Sequence, residues 1–475
     1  MENFLDKALV FWTDVANFMW SEWMVALLAL TGILMTIFTK GIQFRKMWLS
    51  FTYLIKGAMK KDDIDKKEGD ISPFAALMTA LAATVGNGNL AGVAAAIAVG
   101  GPGAPLWMWL FGFIGMATKY AECFLGVKYR KTAEDGSMSG GPMYYCRYGI
   151  KNQTIAKTLG MTFAVCGATT ALLGTGNMMQ SNAMALAFKT QFGIPHIVSA
   201  IVISFFVGLV IIGGIKRIGA VAEKIVPSMI IFYLIGASII LVVKFTEIDD
   251  AFILIFKSAF SLRAAGGAMI GTTIMTAVSQ GVRRGLLSNE AGMGSAAIAQ
   301  SAAKSPDPIY NGLIGMTGVF IDTILVNTLT TLAIILTGVY KYTEAFGVAA
   351  DKAITSTQLT ASAFNEVIPY GGIIIAFASL VFGYTTLLGW YYYGERCLEY
   401  ILGIKAVVPY RIVFVILLFI GGTITGRHIP IVFRIGDTFN AIMTIPNLIG
   451  LLFLVGTVSK ITNEYYKKGK FEKLI

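Results

Sequence analysis

The sequence predicts an all-α integral membrane protein of eleven transmembrane helices, and three observations carry that prediction. Of the 475 residues, 56% are hydrophobic and only 14% charged, whereas a soluble domain carries about 25% charged residues; mean hydropathy is +0.69. Apolar runs long enough to cross a hydrocarbon layer of roughly 30 Å recur along the whole chain. Lysine and arginine crowd into alternate segments between those runs, as the positive-inside rule requires.

In order, the runs are about Met24–Thr39, Pro73–Val99, Pro105–Val127, Ile155–Phe188, Pro195–Gly214 and Ile225–Val243. A seventh starts near Ala264 and turns irregular from Ala277. Ile309–Val339, Gly371–Tyr393, Pro409–Thr425 and Asp437–Val458 follow. With the N-terminus outside, the inner segments hold 28 of the 38 lysines and arginines, the outer ones 9, and Lys119 lies inside the third run. The expected protein is therefore multi-pass in the cell (plasma) membrane, N-terminus outside and C-terminus cytoplasmic. The same bias explains the net charge of +11 and the pI of about 9.3 through a lipid bilayer rather than nucleic acid.

Four units follow. Residues 1–72 hold an extra N-terminal helix and a cytoplasmic linker with the mixed run Lys60–Asp70. Residues 73–243 and 264–459 form two halves of five spans each. Residues 460–475 form a basic tail, expected near the inner leaflet. The outer stretch Lys341–Tyr370 is expected to hold a short surface helix or lid. Four scattered cysteines and two histidines offer no zinc, haem or iron–sulfur spacing. No nucleophile–histidine constellation is visible, so an enzyme is not expected. The N-terminus has no basic region followed by a cleavage site, and no cleaved leader is expected.

The chain is organised around Ala82-Ala83-Thr84-Val85-Gly86-Asn87-Gly88-Asn89-Leu90-Ala91-Gly92, in the middle of the second run. An unpaired backbone amide in lipid costs several kcal/mol, so spanning helices keep their bonds internal. Gly86 and Gly88 tolerate dihedrals that end a helix, and Asn87 and Asn89 bring polar groups that hydrocarbon disfavours. A broken helix at membrane depth is tolerated where it lines a cavity. Glycines alone would equally suit a small-xxx-small packing face, Gly88 to Gly92. The asparagines favour a site for a small polar solute.

A second interruption is expected at Thr272 to Gly281, read through Ile274, Met275, Thr276, Ala277, Val278, Ser279 and Gln280. With the first span set aside, the breaks fall at matching positions of two five-span halves. An odd repeat length inverts the second half, and paired breaks point to a transporter site between inverted repeats. In this reading Gly86, Asn87, Gly88 and Asn89 offer amides to a carboxylate. Thr84, Thr276 and Ser279 hold an ammonium. Gln180, with Asn177 a turn away, reaches in from the polar Gly174–Asn182 stretch. Met275, Met179 and Ile274 wall off larger solutes. No acidic residue lies in either expected break, so dipoles and a cation are expected to neutralise the solute. Phe382, Thr385 and Thr386 share one helix face and suit a hard cation. Asp322, mid-span, is a coupling-ion ligand, a proton carrier or a structural acceptor. Lys119 and Glu122 are expected to pair and snorkel. Glu290 is expected to pair with Arg283 or Arg284 in an inner gate.

Three further motifs carry a resemblance. They are Gly100-Gly101-Pro102-Gly103-Ala104-Pro105-Leu106-Trp107-Met108-Trp109, Ser139-Gly140-Gly141-Pro142-Met143-Tyr144-Tyr145, and Gly281-Val282-Arg283-Arg284-Gly285-Leu286-Leu287-Ser288-Asn289-Glu290-Ala291-Gly292-Met293-Gly294. With them the chain resembles the alanine or glycine:cation symporter family, the sodium:alanine symporters. The resemblance implies a leucine-transporter-type (LeuT) 5+5 inverted-repeat core plus one extra N-terminal helix. It implies sodium-coupled import of small neutral amino acids, alanine and glycine. It also implies one Na+ held by backbone carbonyls at Ala82 and Val85, the Phe382 carbonyl, and the hydroxyls of Thr385 and Thr386. A second sodium in relatives of that fold uses positions matching Thr84 and Asn89. The fourth span has no tyrosine to meet the carboxylate, and Gln180 is expected in that role. The alternatives are proton coupling through Asp322 and a channel, although no ring of charges or repeated filter is visible.

Overall fold

The computed structural model describes residues 2–59, 68–260, 274–305, 307–348, 352–354, 356–425 and 429–474. They are overwhelmingly helical. Lys131–Thr132 and Met138–Ser139 form an antiparallel hairpin of two-residue strands. Among the described residues, eight helices are long and apolar enough to cross a membrane. They become nine when Pro73–Thr84 and Gly88–Gly100, bent by 48°, count as one span. His196–Ile211 is apolar but shorter, at 16 residues. The start of the expected seventh span, with Thr272 and Thr273, lies outside the described residues.

Local chemistry sets several helix starts. Ser72 and Asp307 each precede a proline, whose missing N–H costs nothing at a first helical position. The Ser72 hydroxyl accepts from the Ala75 amide at 3.0 Å, and the Asp307 carboxylate from the Ile309 amide at 2.8 Å. Close helix crossings rest on small residues. A Cβ on Gly315 would come within 2.3 Å of the Cys123 sulfur, locking Pro308–Val319 against Ala104–Lys128. A Cβ on Gly389 would meet Ala83 at 2.8 Å, so Gly372–Leu402 lies directly on Pro73–Thr84.

Several expectations are revised. The extra N-terminal region is two helices, Glu2–Met19 and Glu22–Phe38. Trp20 at their junction is buried and donates its indole N–H to the Asp437 carbonyl at 2.9 Å. The expected fourth span is two helices, Gln153–Leu173 and Met178–Phe192, with a third break at Gly174–Asn177. Pro308–Leu336 widens into a π turn at Phe320–Val326, around Asp322. Lys341–Tyr370 does contain a short helix, Ser356–Asn365, whose Thr360 hydroxyl bonds the Leu90 carbonyl at 3.0 Å. The tail folds back on the protein. Phe471 is buried, its carbonyl accepts from the Tyr53 hydroxyl, and Glu472 pairs with Lys46 at 2.6 Å.

Of the second expected break, the described part from Ile274 to Gly281 is helical. Ile274–Asn289 is regular helix, and the chain unwinds at Glu290–Gly294 before Ser295–Ser301 resumes. Glu290, Gly292 and Gly294 all have positive φ, at 55°, 102° and 79°, which glycine adopts without a Cβ penalty. The threonine and serine hydroxyls of the expected break lack that backbone requirement, and such side chains sit within regular helices. An acidic residue therefore does lie in a break: Glu290.

Candidate functional site

The first break is built as its glycines and asparagines suggest. Helix Pro73–Thr84 ends at Val85, whose ψ of 94° is extended. A π turn, Gly88–Gly92, then leads into Val93–Gly100. The Asn89 amide bonds the Gly86 carbonyl at 3.1 Å, so the Val85 carbonyl is passed over by the amide four residues on. Asn89 Oδ1 accepts from the Gly86 N–H at 2.8 Å. The Asn87 and Gly88 amides, first in the resumed helix, bond no group among the described residues. They are the donors left to face a ligand.

The two asparagines point opposite ways. Asn87 faces Gln180 and Ser379, donating to the Gln180 Oε1 at 2.9 Å and accepting from the Ser379 hydroxyl at 2.6 Å. Asn89 is fully buried behind the break. Its Nδ2 donates to Asp322 Oδ1 at 2.7 Å and Asn327 Oδ1 at 2.8 Å. The Asp322 carboxylate also accepts from the hydroxyls of Ser288, at 2.9 Å, and Thr323, at 2.8 Å. Each of these partners can donate a proton of its own. The network ties the first break to the Ile274–Asn289 helix and to the π turn.

A cavity of about 390 Å³ opens beside the first break. Thr84, Gly86, Asn87 and Gly88 line it from the break, and Ala91 and Ala95 continue one face toward Gly100. Thr175, Met179 and Gln180 come from the third break and the helix after it. Arg284, Leu287 and Glu290 come from the helix that ends in the second break, and Thr386 and Trp390 from Gly372–Leu402. Asp437 and Asn440 complete the wall. Three interrupted helices and two continuous ones thus converge on one space, at the lower end of the range for small-molecule sites.

The residues expected to hold a cation lie beside it. Thr385 and Thr386 are buried and both hydroxyls bond the Phe382 carbonyl, at 3.0 and 2.8 Å. A Cβ on Gly86 would meet the Thr386 Oγ1 at 2.6 Å, so only glycine allows this contact. Ala82, Val85 and Phe382 are fully buried.

Other expected residues stand elsewhere. Met275, Thr276 and Ser279 are not among the cavity's described lining, nor is Ile274. A Cβ on Gly88 would sit 3.5 Å from the Ser288 Cα. Ser279 is nine residues from Ser288, roughly 13 Å along the axis. Met275 is farther still and 53% exposed. Thr84 lines the cavity, but its hydroxyl bonds back to the Ala80 carbonyl at 3.1 Å. Asn177 and Asn182 bond carbonyls of Val407–Thr423 and the residue after it, acting as ties between helices.

The expected charge pairings are also revised. Arg283 pairs with Asp437 at 3.0 Å rather than with Glu290. Glu290 accepts from the Ser295 hydroxyl. Lys119 and Glu122 are buried, 2% and 0% exposed, and do not snorkel. Glu122 Oε1 accepts from the Gly292 and Gly294 amides at 2.9 and 3.0 Å and from Asn447 Nδ2 at 2.6 Å. Lys119 Nζ has no hydrogen-bond partner among the described residues, and its charge acts on Glu122, Glu290 and Asp322. Sequence reasoning missed Glu122, Arg284 and Glu290 as site-forming residues. The Gly292–Met293–Gly294 spacing after Glu290 was the available signal.

The sodium:alanine symporter family model matches residues 6–474. The sodium/alanine symporter AgcS of Methanococcus maripaludis is 45% identical over 458 residues, covering 96% of this chain and 97% of that protein. A Bacillus subtilis protein described as a probable sodium/glutamine symporter, GlnT, is 33% identical over 460 residues, covering 97% and 91%. The crystal structure of an Eremococcus coleocola manganese transporter with an aromatic bis-isothiourea compound overlaps at a TM-score of 0.47 and 14% identity, covering 82% of this chain and 77% of that one. The family match and the relatives span nearly the whole chain, and the chain belongs to the sodium:alanine symporter family.

Proposed function

We propose that this protein imports small neutral amino acids, alanine and glycine first among them, by alternating access in symport with sodium. It is a multi-pass membrane transporter of a sodium:amino-acid symporter family. The observation that carries the finer reading is the break at Val85–Asn89. It presents the unbonded amides of Asn87 and Gly88 to the same cavity that Thr386 and Gln180 line. The amides and Gln180 take the carboxylate, as half-helix N-termini do. Glu290, a carboxylate on the same wall, takes the ammonium. Sodium binds the carbonyls of Ala82, Val85 and Phe382 and the hydroxyls of Thr385 and Thr386, which rotate away from their own helix to meet it.

The architecture proposed is the 5+5 inverted repeat of eleven spans, 73–243 and 264–459, with the N-terminus outside and the C-terminus cytoplasmic. Each charge carried inward across 100 mV gains about 2.3 kcal/mol, enough for nearly fiftyfold accumulation. A cavity of about 390 Å³ is roomy for alanine, so size selection requires closure around the solute. Each extra methylene contributes only about 0.8 kcal/mol by transfer. Exclusion of solutes as large as glutamine, named for the Bacillus subtilis relative, must then come from steric clash with Met179, Leu287 and Trp390.

The test is uptake of labelled alanine into proteoliposomes under an inward sodium, potassium or proton gradient. Sodium-driven accumulation lost in the Thr385→Ala/Thr386→Ala variant is the expected result. Accumulation that follows the proton gradient and disappears in Asp322→Asn would replace it with proton coupling. Flux that fails to saturate would favour a channel.

A further inference from the structure

Arg284 has no role in that scheme, yet it lines the cavity. It stands one helical turn before Ser288, about 6 Å along the axis, on the side toward Gly100. That side is set by Gly100 itself, which packs on Ala277 and Gln280. Among the described residues its guanidinium has no hydrogen-bond or ion-pair partner, and its Nε is buried and unbonded. The charged groups facing it are Arg283, Arg434 and Asp437. Asp437 is the one carboxylate of the three, and it is engaged. Its Oδ2 accepts from Arg283 Nη2 at 3.0 Å. Three guanidiniums therefore share Asp437, and of the three Arg284 is the one in the cavity's described lining, with Glu290 six residues on along the same wall. A cation at membrane depth is paired or expensive. A guanidinium presents a planar fork that fits a carboxylate through two parallel bonds.

We propose that Arg284 is a carboxylate-binding subsite of the cavity, one turn toward Gly100 from the first break, which receives the amino acid's carboxylate before the Asn87 and Gly88 amides. The assignment rests on the amino-acid symport reading and adds to it the group that selects for a free carboxylate. The same guanidinium chemistry also suits chloride, and the test separates the two.

Full-length protein in lipid nanodiscs is titrated with labelled alanine in sodium, with alaninamide, which lacks the carboxylate, as competitor. Arg284→Gln is expected to weaken alanine binding about tenfold or more, as for a lost charge-assisted bond. The alaninamide inhibition constant stays within about twofold, and Arg284→Lys falls between. Equal weakening of both ligands would mean a structural role, and an unchanged alanine affinity would mean no contact; either overturns the proposal. Replacing chloride with gluconate leaves wild-type binding unchanged if the carboxylate is the ligand. Binding that needs chloride in the wild type and not in Arg284→Gln assigns the site to chloride and overturns it too. Sodium-driven uptake is run alongside. Its absence with the binding pattern intact defeats the symport reading alone, and its presence with no effect of Arg284→Gln defeats the subsite alone.

Discussion

Asn87 and Asn89 are two residues apart and do different work. Asn87 lines the cavity and bridges Gln180 and Ser379. Asn89 faces away and holds Asp322, Asn327 and the Gly86 amide. Asn87→Ala removes the bonds to Gln180, which lines the cavity, and to buried Ser379, whose hydroxyl can turn to a carbonyl of its own helix. It is expected to raise the alanine KM about tenfold with little loss of thermal stability. Asn89→Ala leaves a buried carboxylate short of a donor and a buried amide without an acceptor, at about 1–3 kcal/mol for each unsatisfied group. Its expected outcome is a lower unfolding temperature and no uptake at any alanine concentration. Thermal unfolding and uptake kinetics of both variants check the contrast, and equal destabilisation by the two would contradict it.

At the scale of the element, the second break is held from outside itself. Its positive-φ glycines expose two amides, and Glu122, from Ala104–Lys128, accepts from both. Asn447 reaches the same carboxylate and bonds the Gly292 carbonyl at 2.7 Å. Removing Glu122 takes away one of the three carboxylates on which the Lys119 charge acts and leaves the buried Gly292 and Gly294 amides without an acceptor, at about 1–3 kcal/mol for each unsatisfied group. Glu122→Ala is therefore expected to unfold at a markedly lower temperature. Glu122→Gln, which keeps one acceptor oxygen, is expected to lose less stability while still slowing uptake. Thermal shift and sodium-driven uptake on the same preparations read out both effects, and identical stability of the two variants would remove Glu122 from this role.

For the whole molecule, the proposed orientation makes a directional prediction. The cavity runs from the break along Ala91 and Ala95 toward Gly100, which is the outward direction if the N-terminus is outside. All four native cysteines are buried, so a single added thiol reports cleanly. Ala95→Cys in intact cells is expected to react with a membrane-impermeant maleimide added outside, and alanine with sodium is expected to slow the reaction. Labelling only in inside-out vesicles would invert the assignment. The N-terminal helices share in this architecture, because Trp20 is tied to Asp437 on the cavity wall.

The sequence by itself determined the membrane class, the first break, the family and the helix face that Phe382 shares with the threonine pair. Each is written in local chemistry: composition, glycine alternating with asparagine, a long motif, hydroxyls one residue apart. Gln180 was legible too, because a polar run inside an apolar helix needs a reason. Only the tertiary structure showed that Ile274–Gly281 is helical and that the chain unwinds at Glu290–Gly294, because hydroxyl-rich helix and unwound chain have similar compositions. The requirement for positive φ shows at Gly292 and Gly294 once the backbone is traced. Only the tertiary structure paired Arg283 with Asp437, Glu122 with the second break, and Asn89 with Asp322. Those partners lie from 154 to 233 residues apart. Spacing along a helix shows which side chains share a face, but which faces meet is decided by the packing of whole helices.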